Sequence, residues 1–331
     1  MKRSILTNGF KLALRHWPAL VWVYVLNLLL ARLFSVPLSS QIAAITGNSL
    51  YSQRLASGFD IGVLAETIRK LGEGPGSAAS ASYFGTWLYV AIYFLIIPGT
   101  LFVYQTDAPA KLSTLLHTGL VYFWRFVRLT LVSFVVFGVV LGILFFAQNH
   151  WATHVDNVIL GRPGAIAWFA GYLIIGLVAA ALRVYFDLVE VYTVQLGTLP
   201  PLEDSPAQAK LHRRIRKTFL PAWRTLRGNF FRAYFVFVLL TLLGLSAVIV
   251  TARIAMHSLA QPHTWLLFLL AQLGLFVMLF TRFWQRGAET VLALDYPLAA
   301  PAILVVPPPE PEPEPQPVFV ETPAAPEGYS A

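Results

Sequence analysis

The chain has 331 residues, 57% of them hydrophobic and only 12% charged, with a mean hydropathy of +0.65; this balance excludes an ordinary soluble globular domain. It contains no cysteine, which excludes disulfides, thiolate metal sites, iron–sulfur clusters and cysteine nucleophiles. The formal net charge of +8 would point toward nucleic acid in a soluble protein, but in so apolar a chain it must first be divided between the two sides of a membrane.

A helix needs roughly 20 apolar residues to cross a hydrocarbon layer about 30 Å thick, and six runs meet that length. They lie at about 17–34, 83–104, 129–147, 165–182, 233–252 and 264–281. The first follows a basic lead of Lys2, Arg3, Lys11 and Arg15 that is too long for a signal peptide, so it is expected to be retained. Arg32 sits near the end of that run, where its stem can reach the headgroups, and Asn27 inside it suits interhelical hydrogen bonding better than ligand binding. Pro98-Gly99 predicts a kink in the second run. Trp17, Tyr104, Trp124, Trp151, Trp265 and Trp284 fall near run ends, as interfacial anchors do.

Between the first two runs lies the longest connection, Ser35 to Ser82. Within it Asp60 reads as the N-cap of a short helix whose Ile61, Leu64, Ile68 and Leu71 share a face and which Gly72 stops. The glycine- and serine-rich stretch after Gly72 is a flexible linker; it has neither the lysine nor the strand-to-helix setting of a phosphate loop. Residues 296–331 form a disordered Pro/Glu-rich tail, with acidic polyproline from Pro307 to Pro317 and a short apolar Val318-Phe-Val that offers a docking peptide to a protein partner. The membrane domain is therefore 1–295.

Orientation follows from the cationic residues. Of 24 Lys and Arg, only Arg32, Arg54, Arg69, Lys70, Arg162 and Arg253 fall on one side. The positive-inside bias places the other side, with both termini, in the cytoplasm. A basic aromatic lead-in precedes each odd-numbered run: Gly9 to Arg15, Gly119 to Arg125 and Pro221 to Arg227. The expected fold is an all-α polytopic bundle of six spans with amphipathic surface helices, either three tandem hairpin repeats of like orientation or an unrepeated bundle whose spacing follows from alternating topology alone.

Three groups of residues carry candidate chemistry. Lys210, Arg213, Arg214, Arg216, Lys217, Arg224, Arg227 and Arg232 form a stretch without acids, interleaved with Leu220, Trp223 and Phe231. Such a stretch predicts a basic amphipathic helix, broken at Pro221, that either sets topology or contacts anionic lipid headgroups at about 1 kcal/mol per cation. No base-reading module accompanies it, so nucleic acid is not an expected partner. Arg183, Asp187 and Glu190 share one helix face at the end of the fourth run, which predicts an interfacial charge cluster. His150, His154, His257 and His263 fall on the non-cytoplasmic side, where interfacial histidines without metal are expected. No cofactor motif and no nucleophile with its base is present, so a non-enzyme is expected.

The strings Tyr122-Phe-Trp-Arg-Phe-Val-Arg-Leu129, Gly58-Phe-Asp-Ile-Gly-Val-Leu-Ala-Glu66 and Arg183-Val-Tyr-Phe-Asp-Leu-Val, with the basic 213–232 region, resemble a family of uncharacterised bacterial six-span integral membrane proteins over about residues 1–295. The resemblance implies an inner-membrane location and carries over no activity. The expected function is that of a non-enzymatic accessory or scaffold component; the alternative is a small transporter or lipid-handling protein.

Overall fold

In a computed structural model of the protein, the described residues are 4–46, 62, 66, 69–70, 77–158, 161–198, 214–258 and 264–298. They form seven helices: α1 (Ile5–Arg15), α2 (Trp17–Thr46), α3 (Ser77–Thr106), α4 (Leu112–Val158), α5 (Arg162–Thr198), α6 (Arg216–Ser258) and α7 (Thr264–Asp295). There is no strand among them. Helices α3 to α7 are long and apolar enough to cross a membrane, and α1 with α2, bent by 69° at their junction, brings the number to six. Each expected run lies inside one of α2 to α7, and the protein is an all-α, multi-pass helical bundle. Asp60, Ile61, Leu64, Ile68, Leu71, Gly72, Lys210, Arg213, His263 and the tail from 299 onward lie outside the described residues, as does the side chain of His257.

The helices outrun their apolar stretches. With 47 residues, α4 is about 70 Å long at 1.5 Å per residue, more than twice the hydrocarbon thickness. Likewise α2 continues to Thr46 and α3 begins at Ser77, so both ends of the expected 35–82 loop are helical. Burial divides each helix by length. In the middle of α4 and the first half of α5 large apolar side chains such as Phe134, Phe146, Ile166 and Phe169 are exposed, the surface that a membrane-spanning helix turns to lipid. The protein core lies at the other end, where Phe126, Leu129, Val184, Leu188, Tyr192, Leu226, Leu240 and Leu292 form one cluster. There α5 is buried continuously over 186–195 and α7 over 285–293, so neither has an outward face.

Glycine sets two of the closest crossings. Gly99 of α3 lies against the Leu115 backbone of α4, and Gly119 of α4 lies against the Leu95 backbone of α3, so an added Cβ at either would overlap main-chain atoms. The pair is reciprocal, Leu95 and Gly99 facing Gly119 and Leu115 across an antiparallel contact. In α1, Ile5, Gly9 and Ala13 form the buried stripe, with Gly9 on Ala288 and Gly287 of α7. Trp284 Nε1 donates to the Leu6 carbonyl at 2.8 Å while its ring packs on Phe10.

Two local expectations change. Pro98 lies within α3, which is helical through to Thr106, and Thr100 Oγ1 donates to the Ile96 carbonyl at 3.1 Å. Pro221 likewise lies inside α6, and the break falls at Asn229 (φ −136°, ψ 26°). There the side-chain amide replaces helical geometry, Nδ2 donating to the Thr225 carbonyl at 3.2 Å. Of the aromatic anchors, Trp17, Trp124, Trp151 and Trp265 are exposed, whereas Tyr104 is buried and Trp284 ties α7 to α1.

The bend between α1 and α2 is held by the α3–α4 turn. Asp107 adopts a left-handed conformation (φ 58°), and its N–H donates to the Val103 carbonyl at 2.9 Å. Its carboxylate pairs with Arg15 and lies 3.1 Å from His16 Nε2. Burial lowers the His16 pKa below its ordinary value, and the neighbouring Asp107 opposes that shift.

Candidate ligand cavity

Helices α3, α5 and α7 return toward the packed end, and each turns an i, i+4 pair toward one shared cavity. The pairs are Tyr89 and Tyr93, Arg183 and Asp187, and Arg282 and Arg286. The cavity has a volume of about 630 Å³, within the range of small-molecule sites. Its walls are apolar: Val23 and Leu26 of α2, Ile96 and Leu101 of α3, Phe137 of α4, Phe237 of α6 and Phe283 of α7. Asn27 lies on the same lining. Arg183 and Arg282 directly follow the apolar runs that end at Leu182 and Thr281, so the polar floor begins where both runs stop.

The floor is a network centred on Arg286, which is 7% exposed. Its Nη1 is 3.1 Å from Asp187 Oδ1 and 3.6 Å from Glu289 Oε2; its Nη2 is 2.8 Å from Glu190 Oε2 and donates to the Tyr93 hydroxyl at 2.8 Å. Asp187 is fully buried and also pairs with Arg183 Nε at 3.0 Å. Gln285 Nε2 bridges two carboxylates, donating to Asp187 Oδ2 at 3.2 Å and to Glu289 Oε1 at 2.9 Å. Charges taken this far from water are sustained only by pairing and hydrogen bonding, and here Arg286 contacts three carboxylates at once.

Arg183, Asp187 and Glu190 thus share a helix face, as their spacing requires, but that face points into the bundle. Asp187 and Glu190 are buried, and only Arg183 keeps a partly exposed side chain. Sequence reasoning missed Tyr93, Arg282, Gln285, Arg286 and Glu289. A signal was available: Arg183 and Arg282, Asp187 and Arg286, and Glu190 and Glu289 are each 99 residues apart, so the third return helix repeats the pattern of the second with one acid replaced by a base.

The basic segment lies elsewhere. In α6, Thr218, Ala222, Thr225, Leu226, Asn229 and Ala233 form a buried stripe, while Arg216, Arg224 and Arg227, with Arg214 just before the helix, are exposed, as are Leu220, Trp223 and Phe231. Lys217 and Arg232 are half-buried. The segment is fastened to the buried part of α5 by Tyr185, whose hydroxyl donates to the Phe219 carbonyl at 3.3 Å, and by Tyr192, whose hydroxyl lies 2.8 Å from Thr225 Oγ1. The outer face combines cations and aromatics, as membrane-surface helices do. His150 and His154 are exposed on α4, and among the described residues no three His, Asp or Glu side chains are placed to hold a metal ion. No protein-family model, no curated protein and no solved structure matches the chain.

Proposed function

We propose that this is a lipid-handling membrane protein that holds one amphipathic molecule between its return helices, by binding and not by chemical turnover. The observation that carries this reading is the 630 Å³ cavity, apolar along its walls and charged at its floor, where the apolar runs of α5 and α7 end. The exposed Arg216, Trp223, Arg224 and Arg227 support it as a surface that keeps the packed end against anionic lipids, each cation contributing about 1 kcal/mol. In the same reading the basic end and both termini face the cytoplasm of a bacterial inner membrane, following the charge bias of the connections. The accessory-or-scaffold alternative draws its support from the proline-rich tail as a docking peptide, and the geometry of the cavity adds nothing to it.

The test is native mass spectrometry of protein extracted with its own lipids. Wild-type protein is expected to retain one lipid per chain. Ala180→Trp, which fills the cavity from α5, is expected to lose it while melting near the wild-type temperature. A wild type without retained lipid, or an Ala180→Trp protein that keeps it, would contradict the proposal.

A further inference from the structure

We infer that the cavity selects an uncharged amphiphile, one whose polar part consists of ester or hydroxyl groups, and that Asn27 is the residue that recognises it. This rests on the reading of the cavity as a lipid site and names the class of its ligand.

The charged floor is complete without a ligand. Arg183, Arg282 and Arg286 bring three guanidinium groups to it, and Asp187, Glu190 and Glu289 bring three carboxylates. Hydrogen bonding shows no excess of either sign. Arg286 Nη1 makes none, and neither do Asp187 Oδ1, Glu190 Oε2 and Glu289 Oε2, yet each of these atoms lies no more than 3.6 Å from a group of opposite charge. A headgroup with a net charge would add an ion without a counterpart to this buried cluster, and a zwitterion would require existing pairs to open for both of its charges. An uncharged polar group disturbs none of them.

The lining also carries hydrogen-bonding capacity that is itself uncharged. Asn27 lies on it, near the middle of the first apolar run and about 15 Å along the helix from Trp17. Its side chain is half-buried, and its amide has no hydrogen-bond partner among the described residues. The polar side chain one turn earlier on α2 does have one: Tyr24 donates to Gln272 Oε1 of α7 at 2.9 Å, and its ring packs edge-on against Phe276. The interhelical bond expected of Asn27 is thus made by Tyr24, and Asn27 is left to the cavity. Val23, Leu26 and Ile92 share the lining with it. An amide among such side chains is unfavourable unless something in the cavity bonds to it. Nδ2 can donate to an ester carbonyl and Oδ1 can accept from a hydroxyl, whereas neither atom carries a charge that would favour a phosphate or an ammonium group.

Competition for a labelled lipid tests this. Delipidated protein in nonionic detergent is loaded with deuterated dioleoylglycerol, one per chain. Native mass spectrometry then reads its displacement by unlabelled dioleoylglycerol, dioleoyl phosphatidic acid or dioleoyl phosphatidylethanolamine. All three carry the same ester-linked chains, and lipid held by the outer cations of α6 displaces nothing. Dioleoylglycerol is expected to displace the label at concentrations about tenfold or more below those of the phospholipids. Asn27→Leu should lower the affinity for dioleoylglycerol about tenfold, as the loss of one or two hydrogen bonds does, and should melt as the wild type does. Asn27→Gln should keep part of that affinity, and Ala180→Trp should take up no label. Displacement by either phospholipid as readily as by dioleoylglycerol overturns the uncharged class and leaves the cavity reading standing. An Asn27→Leu protein that binds dioleoylglycerol as the wild type does overturns the role of Asn27, and label retained by Ala180→Trp overturns the cavity as its place. If the wild type takes up no dioleoylglycerol, direct titration with the two phospholipids separates the readings: binding of either overturns the uncharged class alone, and binding of neither overturns the cavity reading itself.

Discussion

Arg286 shows how far a single side chain can depend on distant sequence. It lies at ion-pair distance from Asp187, Glu190 and Glu289 and donates to Tyr93, partners that come from its own helix and from two others. Removing one member of a buried ion network costs about 3–5 kcal/mol, because the remaining charges lose their compensation. Arg286→Met is therefore expected to melt far below wild type in detergent, followed by circular dichroism, and Arg286→Met combined with Glu190→Gln and Glu289→Gln should recover part of the loss. A single variant as stable as wild type would show that the three carboxylates do not depend on this guanidinium. The Arg183–Asp187 contact was legible because it is an i, i+4 pair on one helix. The role of Arg286 was not, since its charge served equally well as a topology determinant and nothing local distinguishes a buried arginine from a loop arginine.

Among the elements, the helices themselves follow from apolar runs, but their crossings are set by small residues. Gly99 and Gly119 permit the backbones of α3 and α4 to touch, whereas Gly138 and Gly142 farther along α4 have open space where a Cβ would go. Equal substitutions should thus have opposite effects. Gly119→Ala forces the crossing apart and should cost about 1–3 kcal/mol, while Gly142→Ala should be neutral or stabilising by up to about 1 kcal/mol through helix propensity. Thermal unfolding of the two single variants decides this; similar melting temperatures would mean that α3 and α4 are not in backbone contact at Gly119. The three lead-ins also diverge at this scale. The first is bent by 69° after Arg15, the second runs straight into α4, and the third breaks at Asn229. Proline would have placed that break at Pro221; the asparagine, with a side chain able to satisfy the Thr225 carbonyl, supplies a better substitute for helical hydrogen bonding.

At the largest scale, the described residues of 4–298 pack around a charged cluster at one end, and the exposed apolar lengths of α4 to α7 extend from it. Phe134, Phe169 and Leu269 are exposed on those lengths, while Arg216 and Arg224 are exposed on α6. Because the chain has no cysteine, nitroxide labels can be introduced one at a time without removing native thiols. In bilayers, labels replacing Phe134, Phe169 or Leu269 should be relaxed chiefly by oxygen, and those replacing Arg216 or Arg224 chiefly by a water-soluble reagent. A label at 134 that prefers the water-soluble reagent would contradict a lipid-facing hairpin. Composition and run length were enough to determine the solvent of this protein, its helical class and its six long apolar segments, because hydrocarbon imposes the same demand on every spanning stretch: satisfy the backbone internally and expose only apolar side chains. Which of those helices enclose a cavity, and that Arg183 and Asp187 meet Arg286 and Tyr93 there, only the tertiary structure decided, because contacts between residues some 90 to 190 positions apart depend on how helices cross and not on the period within any one of them.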